Sequence, residues 1–93
     1  MALGLDSWWH DPDYKACRTR EGRGRFIIMK LLQLDTQKLQ AAWFKAFPGQ
    51  TIFEPARAVD LTKAQWQTIL ESMGGASPEE IRDVQQRMGR VWQ

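Results

Sequence analysis

Residues 14–34 read YKACRTREGRGRFIIMKLLQL, and the class of the whole chain hangs on whether they form a hairpin or a helix. As a strand, Tyr14, Ala16 and Arg18 would face one way and Lys15, Cys17 and Thr19 the other. Arg20-Glu-Gly-Arg-Gly24 carries turn chemistry, because glycine takes positive φ without steric cost. Phe26 to Leu34 then reads as a long, largely buried strand opened by aromatic and β-branched residues. Its Met, Lys, Leu and Gln are also good helix formers, and periodicity alone does not decide so short an apolar run. The bulky start favours strand, so 14–34 is read as a β-hairpin.

On the N-terminal side, residues 1–13 hold Gly4, the pair Trp8-Trp9 and Asp11-Pro12 without sustained periodicity, and read as an arm. On the C-terminal side the grammar is helical. Asp35 or Thr36 can cap a helix over 35–48, with Leu39, Ala42, Trp43, Ala46 and Phe47 at helical spacing and Pro48-Gly49 as a stop. Residues 50–55 include Thr-Ile-Phe and can form a short third strand ended by Pro55.

Two helices follow, over 61–74 and 77–92, and both open with a capping box: Thr62 with Gln65, and Ser77 with Glu80 behind Pro78. Leu61 can staple onto Trp66. Trp66, Ile69, Leu70 and Met73 make one inward stripe, and Ile81, Val84, Met88 and Val91 the other, with Gln85 and Trp92 beside it. Glu79, Glu80 and Asp83 lie near the positive end of the last helix, and Arg87 and Arg90 near its negative end. Gly74-Gly75 joins the pair through a left-handed cap. The expectation is a small single-domain α+β protein with an N-terminal β-hairpin, one packed helix, a short third strand and a C-terminal helical hairpin.

Ninety-three residues, 43% hydrophobic and 26% charged, fit one globular domain. The longest apolar run, Phe26 to Met29, is far too short to span a membrane. No basic stretch leading into an apolar segment opens the chain, so no secretory signal is expected. A lone Cys17 makes no internal disulfide and suits a reducing, cytoplasmic setting. Net charge is +2, but it is unevenly spread. Residues 1–13 carry −3, residues 14–30 carry +5, and residues 31–93 balance to zero. The basic character is thus a local patch.

Catalytic and metal chemistry finds little support. His10, Asp11, Asp13 and Cys17 are the one cluster of suitable groups, but they lack the ligand count and spacing of a structural zinc site. A thiol enzyme would need Cys17 activated by the sole histidine, with the nearby arginines lowering its pKa. No phosphate-binding loop, dinucleotide fingerprint, nucleophile elbow or HExxH helix is present. The expectation is a protein that is not an enzyme and uses no cofactor or metal.

Binding is the stronger theme. Arg18, Arg20, Arg23 and Arg25 on a glycine-containing tip can meet phosphates or the carboxylates of a protein partner, with Tyr14 and Phe26 beside them to stack on bases. The competing view is a solvated tip whose charges only protect a sheet edge. As a DNA-reading motif the helical pair is mixed: Leu70, Ala76, Ile81 and Val84 fit its apolar positions, but Glu71 and the Pro78-Glu79-Glu80 opening oppose it. Trp8, Trp9 and Phe44 are candidate anchors, since exposed Trp beside Arg is typical of interface hot spots; the alternative is an arm packed against the last helix. The reading is a protein-interaction module, a small inhibitor or adaptor that occludes or bridges a larger protein with an acidic surface. Small proteins of phages and other mobile elements share this generic profile. Its contacts would be Arg18, Arg20, Arg23, Arg25, Trp8, Trp9 and Phe44. Nucleic-acid binding by the basic segment is the alternative, and self-association through exposed rings is compatible with either.

Overall fold

The computed structural model describes residues 3–88, and among them every element is helical. Two short helices, α1 (Asp6–Trp9) and α2 (Pro12–Ala16), lead into the long α3 (Arg20–Leu34) and then α4 (Thr36–Ala46). A 3-10 helix over Pro55–Asp60 precedes α5 (Lys63–Met73) and α6 (Pro78–Met88). The expected α+β class is therefore wrong: there is no β-hairpin at 14–34 and no strand among the described residues. The expectations for Arg90, Val91 and Trp92 lie outside the described residues.

The hairpin fails because its supposed turn is the first turn of a helix. Thr19 caps α3 by accepting from the Gly22 N–H at 3.1 Å. Gly24, Ile27, Ile28 and Leu31 then recur at helical spacing on the buried face. Neither Gly22 nor Gly24 has positive φ. Gly24 is there for proximity: a Cβ would stand 3.1 Å from the Ala58 Cβ and 3.0 Å from the Met88 Cε. The 3-10 helix thus lies tightly on α3, one of the two most extensive contacts among the described residues. The other is α4 against α5.

Asp35 joins α3 to α4 alone. Its N–H closes α3 on the Leu31 carbonyl, and its carboxylate caps α4 at the Lys38 N–H, 3.0 Å away. Residues 50–54 form no strand, having no neighbouring edge to pair with; Phe53 instead packs edge-on against Trp43, and Pro55 opens the 3-10 helix. Trp43, Trp66, Ile69 and Leu70 are among the innermost side chains, placed by the stripes expected for α4 and α5. The Thr62–Gln65 capping box forms, and Gln65 also donates to the Ala46 carbonyl at the end of α4. Between α5 and α6, Gly74 and Gly75 both have positive φ, at 74° and 98°. The ψ of 126° at Gly74 replaces the expected left-handed helical cap with an extended one.

The N-terminal segment is fastened by one carboxylate. Glu80 completes its capping box with Ser77 and also accepts from the N–H groups of Leu3, Gly4 and Leu5 at 2.9 to 3.0 Å. Burial alone would push this acid up, but the four N–H donors outweigh it and hold the carboxyl below its ordinary value. Leu5, Trp8 and Trp9 are consequently buried against the rest of the core.

Candidate docking surface

Three residues, Cys17 to Thr19, link α2 to α3 and carry the basic segment from one helix into the next. Asp11 caps α2 through the Asp13 N–H at 2.8 Å and pairs with Lys30 of α3 at 3.3 Å. The Asp13 N–H, together with Lys30, keeps the Asp11 carboxyl below its ordinary value. These contacts hold α2 beside α3 and leave Arg18 in the link and Arg25 on the outer face of α3, both exposed. Arg23 is half-buried. Arg20 turns inward, and its Nη1 is out of solvent with no acceptor among the described residues. None of these four arginines forms an ion pair among the described residues.

The aromatic candidates fall elsewhere. Trp8 and Trp9 are each 8% exposed, so they are core residues and not contact anchors. The N-terminal arm packs on the last helix: the Trp9 indole N–H donates to the Asp83 carboxylate at 2.6 Å, and the Arg87 guanidinium lies 4.0 Å from the Trp9 ring centre. Tyr14 is buried between Trp9 and Phe26, with ring centres 5.0 and 5.4 Å away, which removes it as a platform for bases. Phe44 is half-buried and packs against the core. The premise for self-association, several exposed rings, is thereby absent among the described residues. The large apolar side chains that are exposed, Met29, Leu34 and Ile52, are aliphatic.

Cys17 caps the end of α2 and donates its thiol to the Asp13 carbonyl at 3.2 Å. His10 is exposed at the end of α1. Among the described residues no three of His, Cys, Asp and Glu are gathered closely enough to hold a metal ion. The opening of α6 is covered by residues 3–5, so its first turn, which a DNA-reading helix would present to bases, is already occupied.

Beside the link lies a feature that no local stretch of sequence announces. Tyr14, Lys15, Cys17 and Arg23 meet Arg87 of α6 around a depression of about 340 Å³. Arg87 is fixed there, its Nε on Asp83 at 3.2 Å and its Nη1 on the Tyr14 hydroxyl at 3.1 Å. A second groove of about 380 Å³ runs along the outer face of α3, between Asp13 and Cys17 on one side and Arg25, Phe26 and Met29 on the other. Among the described residues no helix is long and apolar enough to cross a membrane. Compared with known families, curated proteins and solved structures, the chain matches none.

Proposed function

We propose that this protein is a non-enzymatic interaction module, a small inhibitor or adaptor that docks on an acidic surface of a larger protein through the α2–α3 edge. The observation that carries the reading is the state of the charges: Arg18 and Arg25 stand in solvent, and neither is neutralised within the described chain. A guanidinium left open in this way is suited to bidentate pairing with carboxylates of a partner. Trp8 and Trp9 hold its scaffold together from inside, so the contact is electrostatic at its centre and uses neither of them as an anchor.

A protein partner is favoured over nucleic acid because the rings expected to stack on bases, Tyr14 and Phe26, are buried and half-buried. The free Cys17 thiol is consistent with work in the cytoplasm. The test is affinity capture from a lysate of the producing cell, with the native chain and an R18E/R25E variant as baits, each with and without nuclease. Partner bands that survive nuclease and vanish with R18E/R25E support the reading. Bands shared equally by both baits would overturn it, and bands removed by nuclease would transfer the edge to nucleic acid.

A further inference from the structure

We infer that the depression between α2, the start of α3 and α6 is a binding site for a phosphate group, taken as a dianion. Three cations line it, Lys15, Arg23 and Arg87. The Asp83 carboxylate neutralises one of them through its bond to Arg87. The remaining charge is about +2, which matches the charge of −1.5 to −2 that a phosphate monoester carries near pH 7.

The geometry adds to the charge count. The Arg87 guanidinium is held on three sides, by Asp83, by the Tyr14 hydroxyl and by the Trp9 ring beneath it. Its five N–H groups include two engaged in these bonds, leaving about three for a ligand. An arginine already fixed in place loses little freedom on binding, which favours a small anion that could not otherwise offset that cost. Lys15 and Arg23 form no ion pair among the described residues, so their charges are open to the site. Cys17 on the wall supplies a built-in reporter, as the single thiol of the chain.

This site goes beyond the docking reading and stands or falls separately, because Arg18 and Arg25 take no part in it. The test titrates the full chain, isotopically labelled for NMR, with inorganic phosphate and in parallel with methyl phosphate at constant ionic strength and pH 7.5. Saturable shifts confined to the amides of 14–23 and to the Arg87 side chain are expected, with slower iodoacetamide labelling of Cys17 in the bound state. K15Q/R23Q should weaken binding by about tenfold or more, while R18Q/R25Q should change it by less than about twofold. Lowering the pH to 5.5 should weaken it as the ligand becomes a monoanion. Methyl phosphate binding as well as the free ion would show that the group can be presented by a larger ligand; binding of the free ion alone would make phosphate itself the ligand. Linear shifts without saturation for both probes, shifts centred elsewhere, or equal binding by K15Q/R23Q with its fold intact would overturn the assignment.

Discussion

Replacing Glu80 by Gln should unfasten the N-terminal segment, because it removes the charge that four backbone N–H groups share. One amide oxygen can still serve two of those donors, while the other two would face an NH₂ group that donates as they do. A stranded buried donor costs about 1–3 kcal/mol. Leu3 and Gly4 lie near enough to solvent to recover part of this through water, so the expected loss is about 2–4 kcal/mol. For a domain of this size that corresponds to a melting temperature lower by about 10–25 °C. The pH dependence follows from the same contacts. Glu80 in the folded chain titrates below its ordinary value of 4.5, so on acidification the unfolded chain takes up the proton first. The stabilisation is complete above about pH 5 and is lost as pH falls through the lower, folded-state pKa. Urea unfolding of the native chain and E80Q from pH 7 to pH 3 should show the gap between them closing on acidification. Amide exchange at Leu3–Leu5 should accelerate in E80Q at pH 7. A loss below about 1 kcal/mol with Leu3–Leu5 exchange unchanged would refute the role given to this carboxylate.

Gly24→Ala should destabilise by about 1–3 kcal/mol in chemical denaturation despite alanine's better helix propensity, because the new methyl meets Ala58 and Met88. Adding Ala58→Gly should recover part of that loss, and an additive double variant would disprove the contact. Trp9→Phe, which removes the 2.6 Å bond to Asp83 and weakens the stack under Arg87, should cost about 1–3 kcal/mol by thermal unfolding. At Trp66 the indole N–H is buried with no acceptor among the described residues. Trp66→Phe should therefore cost less than the 3–5 kcal/mol typical of emptying a large aromatic site, since it also removes an unpaired donor; a larger loss on urea unfolding would contradict this.

Helix starts were legible wherever the residues that define them are neighbours. Asp35, the Thr62–Gln65 pair and the Ser77–Glu80 pair all cap as their spacing predicts. The stretch 14–34 reads as a hairpin because glycine has two uses, torsional freedom and close approach, and only the first shows in the local sequence. Gly24 is required by Ala58, which is distant in sequence, and nothing local records that. A signal did exist: Thr19 precedes Gly24, Ile27, Ile28 and Leu31 at the spacing of a capped amphipathic helix. The tryptophans were ambiguous for the same reason of distance. Asp83 lies 74 residues from Trp9, and Arg87 lies 73 residues from Tyr14. The basic segment was visible as composition, but the pocket was not, because its third cation comes from the far end of the chain.

The distribution of acids explains why positive charge is left over at this edge. Asp11 is engaged by Lys30 and the start of α2, and Asp35 by the start of α4. Glu80 is enclosed by backbone donors, and Asp83 is divided between Trp9 and Arg87. Each of these carboxylates is tied to a structural task, and none of them reaches Arg18, Arg23 or Arg25 in an ion pair. Folding therefore engages four of the acids in structural contacts and leaves Asp6, Asp13 and Glu21 exposed, so the guanidiniums of Arg18, Arg23 and Arg25 stay unpaired among the described residues of a chain with a net charge of only +2. Neutralising exposed arginines should for that reason leave stability nearly unchanged, within about 0.5 kcal/mol at each site. That separation between what folds the chain and what charges its edge is what allows R18Q/R25Q to report on binding alone, while the half-buried Arg23 makes a thermal-unfolding check part of the K15Q/R23Q test.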